Sequence, residues 1–313
     1  RMVGQNGRRA AIMLTMDVRH PDIEKFITMK HDLTKVTGAN VSIKIRNDFL
    51  KAVEADTDFI LKWPVDSDSP KITRTVKAKD IWNLIVTSAT KTAEPGVLFW
   101  DTMLDNLPAQ CYSDVGFDHV STNPCAELIL SANDSCRLVA LNLKHLVDGP
   151  FSKTAKMNLK KFKENIRVAM RLSDDLVELE LEKLENAVNK ADTEDEKRLF
   201  KALHKSCSNG RRTGLGTYGL ADLLARLNLA YDSDEALEVI DIIYRTLRNE
   251  AYSESVQLAK ERGAFPVFDW NKEKDNIFIK RLPKDLQNDI GVSARRHISI
   301  LTNAPTGSIS ILS

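Results

Sequence analysis

The octapeptide Ser121-Thr122-Asn123-Pro124-Cys125-Ala126-Glu127-Leu128 sets an amide, a thiol and a carboxyl at alternate positions, with a proline between the first two. Proline fixes its own φ and disfavours the helical region for the residue before it, so the segment is expected to be extended. Side chains two apart on an extended chain share a face, which sends Asn123, Cys125 and Glu127 to one side. A thiol between a hydrogen-bonding amide and a proton acceptor suits chemistry on a hydroxylated substrate. A half-buried strand with a core cysteine is the plainer alternative for these residues alone.

Three further stretches carry residues suited to binding. Asn303-Ala304-Pro305-Thr306-Gly307-Ser308-Ile309-Ser310 follows the apolar run Ile298–Leu301, and a glycine among hydroxyls after a strand is a common way to aim backbone N–H groups at phosphate oxygens. An ordinary Ser/Thr turn is the alternative. Gly4-Gln5-Asn6-Gly7-Arg8-Arg9-Ala10-Ala11 is a glycine-bracketed loop with two guanidiniums, suited to phosphate or base recognition or to a solvated turn. Gly214-Leu215-Gly216-Thr217-Tyr218-Gly219 fits the dinucleotide-binding spacing, but that spacing has meaning only after a strand. The residues before it, Lys205 to Arg212, are polar. The glycines are therefore expected to serve a tight turn and close packing of a helix over Leu220–Leu229.

The elements that would position these residues alternate between strand and helix, which predicts an α/β architecture. Ala10–Met16 reads as a buried strand, His20–Ile27 as a short helix, and Val41–Ile45 as a strand with Asn47 or Asp48 capping the next helix. Lys77–Lys91 reads as a helix, and Val97–Trp100 as a buried strand after the break at Glu94-Pro95-Gly96. Leu138–Leu143 is strand-like, and its closeness in sequence to the Asn-Pro-Cys segment could bring Cys125 and Cys136 together. Helical periodicity dominates residues 158–205 and returns from Asp234 to Glu261, while Arg296–Leu301 reads as a strand.

With 313 residues, 42% hydrophobic and 28% charged, the chain can bury a substantial core. A formal net charge of +1 and the lack of a long Lys/Arg run argue against a nucleic-acid-coating surface. No apolar stretch approaches the roughly 18 residues of a membrane span, and the N-terminus lacks a secretory pattern. Cys111, Cys125, Cys136 and Cys207 form no Cys-x-x-Cys pair and have no histidine cluster beside them, so no metal site is expected. Reduced thiols in the cytoplasm follow as the expectation.

Taken together and in order, these motifs resemble the catalytic barrel of ribonucleotide reductases, most closely the adenosylcobalamin-dependent group (class II). The resemblance rests on Gly7-Arg8-Arg9-Ala10, Ser121 to Glu127, Asp134-Ser135-Cys136-Arg137 with Leu141-Asn142-Leu143, Arg211 to Gly216, and Ala304 to Ser310. Glu94 to Asp101 and Ala259 to Pro266 add to it, so it spans residues 1–313.

The resemblance implies part of a ten-stranded α/β barrel, with the radical cysteine on an internal finger loop. It implies that Cys125 is the thiyl residue that takes the ribose 3′ hydrogen, that Glu127 is the general base at the 3′-hydroxyl, and that Asn123 orients the ribose hydroxyls. Ser121 and Thr122 would lie near the ribose or base. Cys136 would be one of two reducing thiols, Pro305, Thr306, Gly307, Ser308, Ile309 and Ser310 would bind the substrate phosphates, and Gly4, Gln5, Asn6, Gly7, Arg8, Arg9 and Ala10 would relay effector identity to substrate choice. The implied cofactor is adenosylcobalamin. The implied partners are a ribonucleotide, dNTP or ATP effectors, a thioredoxin-like or other dithiol reductant, and a second copy in a homodimer.

The family places its other reducing cysteine upstream of the specificity loop, and neither Cys111 nor Cys207 matches that position. The effector-site part, the last barrel strands and the cysteine-bearing tail have no counterpart in residues 1–313. The chain is therefore expected to be a barrel segment incomplete at both ends, joined by complementing N- and C-terminal segments. The helix that should support the phosphate loop is also expected to be missing. Two other readings compete. One is the large subunit of the iron-dependent group; the other is a non-catalytic nucleotide-binding fragment, for which the Asn123, Cys125 and Glu127 set has no evident use.

Overall fold

The computed structural model describes residues 4–5 and 8–312. It divides into two compact units, Arg1–Leu107 with His119–Ile129, and Pro108–Asp118 with Leu130–Ser313.

In the first unit, β1 (Gly4–Gln5) and β2 (Arg8–Arg9) pair antiparallel. The core lies against a three-stranded parallel sheet ordered β3 (Ile12–Asp17), β4 (Ala39–Ile45), β7 (Gly96–Phe99). Helix α1 (Ile23–Thr28) connects β3 to β4. Helix α2 (Asn47–Glu54), the antiparallel hairpin β5 (Asp58–Trp63) with β6 (Ile72–Lys77), and α3 (Ala78–Thr92) connect β4 to β7. The apolar stripes of the helices, including Phe26, Phe49, Ile81 and Ile85, close over Val41, Ile43 and Ile45. β3 is not the buried strand expected: it is an edge of the sheet, and Ile12 and Leu14 stay exposed on it. The N-cap position of α2 falls on Arg46 and not on Asn47 or Asp48, although Asp48 Oδ1 accepts from the first-turn Phe49 N–H at 2.8 Å. Asp101, on α4 (Trp100–Asp105), accepts from the Asn47 backbone N–H at 2.8 Å and binds Arg46 at 2.9 Å. The unit closes with β8 (His119–Thr122) and the residues that follow it to Ile129.

The second unit holds a 3-10 segment (Pro108–Val115), β9 (Ile129–Ser131, whose first residue belongs to the other unit), β10 (Arg137–Asn142), and the short pair β11 (Val147–Asp148) and β12 (Lys156–Met157). Helix α5 (Leu159–Lys190) buries Phe162, Ile166, Met170 and Val177 at helical spacing, and its N-terminus is capped by the Asn158 side chain. The charged stretch after it is a turn that opens α6 (Glu194–Gly210) through a reciprocal capping box of Thr193 and Glu196.

β13 (Thr213–Tyr218) then pairs parallel with β10, in register from Arg137 opposite Thr213 to Asn142 opposite Tyr218. The glycine string expected to form a turn is thus a buried strand, and only Gly219, at φ +74°, turns the chain into α7 (Leu220–Arg226). The helical periodicity from Asp234 to Glu261 corresponds to one unbroken helix, α8 (Asp234–Arg262), followed by α9 (Trp270–Glu273), α10 (Ile277–Lys280) and α11 (Lys284–Ser293). Residues 298–302 are buried and extended alongside β13 without forming a regular strand. They are held by Leu215 N–H to Ile300 O at 2.9 Å and Thr302 N–H to Leu215 O at 3.0 Å. A helical turn, α12 (Ile309–Leu312), begins within the Pro305–Ser310 stretch. The parallel βα connections bear out the α/β class. Among the described residues the strands do not close into a ring.

Asp174 of α5 has no exposed surface and gathers the approaches to β13. Its carboxylate accepts from Arg211 at 2.7 Å, Arg262 at 2.8 Å, Arg296 at 3.1 Å and His297 Nε2 at 3.1 Å. Burial alone would raise the Asp174 pKa, but His297 and Arg211 outweigh it and hold the carboxyl well below its usual range. Burial pushes His297 down to about 4, and it stands neutral with Ser255 at 2.9 Å from Nδ1.

An ordinary histidine gains its proton near pH 6.5 and folded His297 only near 4. Between those values the unfolded chain binds more protons, so acidification withdraws stability. The melting temperature of the chain is expected to fall as pH drops from 6.5 towards 4, with a shallower slope in His297→Gln. Calorimetry across that range checks this, and equal slopes would assign the effect to other groups.

Candidate functional site

The Asn-Pro-Cys segment is not extended. Residues 123–128 form a tight turn between β8 and β9. Asn123 N–H donates to Leu128 O at 3.3 Å, Ala126 N–H to Asn123 O at 3.0 Å, and Asn123 Oδ1 accepts from Leu128 N–H at 3.1 Å. Ala126 takes a left-handed conformation, φ +62°. The alternation argument therefore fails here, because the Asn123 side chain caps the turn and wins over the extended preference set by Pro124.

The turn gives a more specific arrangement. Cys125 is exposed, while Asn123 and Glu127 are half-buried beside it in the chain. Asn123 spends its oxygen on the Leu128 cap, and its Nδ2 hydrogens make no hydrogen bond among the described residues, which leaves them able to donate to a ligand hydroxyl. The turn is braced from the sheet of the first unit: Asn40 Nδ2 donates to Pro124 O at 2.6 Å, and Lys44 Nζ to Val120 O at 3.3 Å. Ser121 Oγ lies 3.0 Å from Thr15 Oγ1, and the buried Thr122 Oγ1 has no hydrogen-bond partner among the described residues.

Cys136 belongs to the second unit and is half-buried at the entrance to β10. The residues around it are pinned. Asp134 Oδ2 pairs with Arg212 Nε at 2.7 Å with both side chains almost wholly buried. Arg137 reaches Glu180 at 2.7 Å, the Arg212 carbonyl at 2.7 Å and Cys207 Sγ at 2.8 Å. Of the other thiols, burial pushes Cys207 up to about 11 and Cys111 up to about 12, the latter with help from the charge of Glu273. Both are poor thiolates near neutral pH.

Pro305 to Ser308 form a largely exposed loop, and Ile309 and Ser310 open α12. Thr306 is left-handed at φ +55°, Ser310 N–H donates to Thr306 O at 2.9 Å, and Ser310 Oγ to Gly307 O at 3.0 Å. Of the Gly4 to Ala10 stretch, Gly4–Gln5 and Arg8–Arg9 form the small antiparallel pair, Ala10 is exposed, and Asn6 and Gly7 lie outside the described residues.

Sequence reasoning missed the Asp174 hub and the Asp134–Arg212 pair. A signal existed for the first, since Asp174 falls on the buried stripe of α5, four residues after Met170 and three before Val177. An acid on an apolar stripe needs buried cations.

The family model described as "Ribonucleotide reductase, barrel domain" matches residues 1–313. A vitamin B12-dependent ribonucleoside-diphosphate reductase of Thermoplasma acidophilum is 32% identical over 317 residues, which takes in 99% of this chain and 35% of that protein. A protein of the same description from Mycobacterium tuberculosis is 31% identical over 307 residues, 97% of this chain and 38% of that one. The chain thus spans little more than a third of the length of these curated relatives. Among solved structures, the class Id ribonucleotide reductase alpha subunit of Actinobacillus ureae superposes with a TM-score of 0.69 at 20% identity, over 96% of this chain and 47% of that chain. At that identity the likeness is one of fold.

The four thiols should separate under alkylation at pH 8. Cys125 is expected to react first because it is exposed, and Cys207 and Cys111 last, since burial raises both thiols. A thiol held at about 11 instead of 9.0 carries about a hundredfold less thiolate, and one at about 12 about a thousandfold less. Site-resolved mass spectrometry checks the order, and early labelling of Cys207 would contradict it.

Proposed function

Because the chain belongs to the ribonucleotide reductase barrel-domain family, we propose that it carries the catalytic core of an adenosylcobalamin-dependent ribonucleotide reductase, which replaces the 2′-hydroxyl of a ribonucleotide by hydrogen. A ribonucleoside diphosphate is the substrate named in the relatives from T. acidophilum and M. tuberculosis. The observation that carries this reading is the exposed Cys125 thiol on a turn that also holds Asn123 with its amide hydrogens ungiven.

Cys125 takes the 3′ hydrogen of the ribose as a thiyl radical and returns it at the end. Glu127 accepts the 3′-hydroxyl proton as general base. Asn123 Nδ2 donates to a ribose hydroxyl and fixes the sugar in position, while Thr122 and Ser121 line its approach. The 2′-hydroxyl leaves as water. Two thiols become a disulfide and supply the two electrons and two hydrogens that balance that loss, with Cys136 as one of the pair. Cys111 and Cys207 are poor candidates for the other thiol, since burial holds both well above neutral pKa values. Pro305 to Ser310 hold the phosphates with backbone N–H groups and hydroxyls.

An exposed cysteine on a braced turn suits delivery of a radical equivalent from outside the polypeptide, and Cys125 is the residue that would face adenosylcobalamin. When bound, that cofactor supplies the homolysis that no side chain can perform. The Gly4 to Ala10 stretch relays dNTP or ATP effectors to substrate choice, and a thioredoxin-like or other dithiol re-reduces the active-site thiols. Complementing reductase segments, a homodimer and a cytoplasmic setting complete the reading. No helix among the described residues is long and apolar enough to cross a membrane.

The test is deoxynucleotide formation by this chain with the remaining reductase segments, adenosylcobalamin and a dithiol. Cys125→Ala is expected to abolish turnover. Glu127→Gln is expected to lower kcat by about 10²–10⁴-fold, the usual range for a lost general base. Cys136→Ala should stop multiple turnover. Activity restored by an iron-containing subunit in place of cobalamin would move the protein to the other class, and full activity of Cys125→Ala would refute the thiyl role.

A further inference from the structure

The glycines of β13, unused by any dinucleotide, lie under two parts of the proposed site at once. β13 has β10 on one edge and residues 298–302 on the other. Gly214 and Gly216 are two apart on this strand and so present the same face. Neither has a positive φ, in contrast to Gly116, Gly149, Gly219 and Gly263, so backbone conformation does not call for glycine at either position. Space does. A Cβ at Gly214 would stand 2.5 Å from Cys136 Sγ, 2.8 Å from Thr302 Cγ2 and 3.0 Å from Leu138 Cδ2. Non-bonded carbon atoms settle at about 3.5–4.0 Å. A Cβ at Gly216 would overlap the Thr302 carbonyl oxygen outright and come within 3.0 Å of Asn303 Oδ1.

We propose that Gly214 and Gly216 are positioning residues that seat the Cys136 thiol and the root of the Pro305–Ser310 loop on one strand. The redox and phosphate roles of those two parts rest on the function proposed above; the seating itself does not. Gly214 leaves the slot that the sulfur occupies. Gly216 lets Thr302 and Asn303 cross β13 at backbone contact, where Asn303 Oδ1 accepts from Thr217 N–H at 3.1 Å. The Tyr244 hydroxyl fixes that crossing, 3.0 Å from Thr217 Oγ1 and accepting from Asn303 Nδ2 at 3.2 Å. Two residues of strand advance about 6.6 Å, so the spacing of the glycines sets the distance between thiol and loop root along the strand. The sulfur has little freedom to retreat, because Asp134 is tied to Arg212 and Arg137 to Glu180 on either side of Cys136.

The experiment compares Gly214→Ala and Gly216→Ala in the full chain, each alone and combined with Cys136→Ala. Melting temperature and site-resolved alkylation are read without any need for turnover. Gly214→Ala should lower the melting temperature and change the labelling rate of Cys136 by about tenfold while buried Cys207 stays slow. Removing the sulfur in Cys136→Ala should recover at least half of that loss, a coupling expected only of residues in contact. Gly216→Ala should leave Cys136 labelling within about twofold and show no such recovery, since its neighbour is backbone. If Gly214→Ala does not fold alone, folding regained with Cys136→Ala and Thr302→Ser together supports the seat, and failure of that combination overturns it. An equal loss of melting temperature with and without the sulfur also overturns it. In the reconstituted reductase, Gly214→Ala should act chiefly on kcat and Gly216→Ala chiefly on nucleotide KM. A parent chain without reductase activity would sink the functional reading and leave the labelling and melting results to decide the seating.

Discussion

The Asp174 carboxylate, wholly buried and ringed by three arginines and a neutral histidine, is the interaction on which the second unit depends. Ionised groups are taken out of water only at a cost of several kcal/mol each, which their mutual attraction and well-placed hydrogen bonds offset. Here the donors come from Arg211 at the mouth of β13, from Arg262 at the end of α8, and from Arg296 and His297 at the head of the extended segment. One side chain of α5 thereby ties three chain segments together. Glu178, one turn further along α5, repeats the contacts to Arg211 and Arg296. A second buried carboxylate, Glu273, does comparable work for Arg295 and Tyr112.

Reactivity in this chain is set by which thiols the fold leaves accessible. Cys207 and Cys111 are held in their protonated form by burial, and Cys207 also takes part in a structural network through Arg137. Cys125 is exposed on a turn whose shape comes from the Asn123 cap and from the left-handed Ala126. The same asparagine oxygen that shapes the turn leaves its nitrogen directed elsewhere, so one side chain builds the loop and can still meet a ligand.

Much of the architecture was legible because it follows from periodicity and punctuation. The apolar spacing of Phe162, Ile166 and Met170 gave the first half of α5, whereas the capping box of Thr193 and Glu196 that opens α6 came only with the structure. What was not legible depends on partners distant in sequence. The string from Gly214 to Tyr218 has turn-like composition, yet pairing with β10 and with residues 298–302 makes it a strand. Arg296–Leu301 reads as a strand, and residues 298–302 do run alongside β13, but their pairing is too irregular for a regular strand. The Asn-Pro-Cys segment was misjudged for a local reason, since backbone preference at Pro124 was weighed without the capping capacity of Asn123. The order of motifs pointed to the family, while the shape of the loop had to come from coordinates.

The Asp174 cluster also constrains the history of the fold. Its histidine lies 123 residues further along the chain, and the Tyr112 to Glu273 hydrogen bond spans 161 residues. Asp174 is not fully paired until Arg262, Arg296 and His297 arrive, and Glu273 until Arg295 does, so α5 and the 3-10 segment cannot settle into their final environment while the chain is only partly made. Contacts of such long range slow folding and lengthen the time during which apolar surface stands open. During synthesis the second unit must therefore wait for Arg295 to His297 to leave the ribosome, whereas the sheet of the first unit has all three of its strands by Phe99.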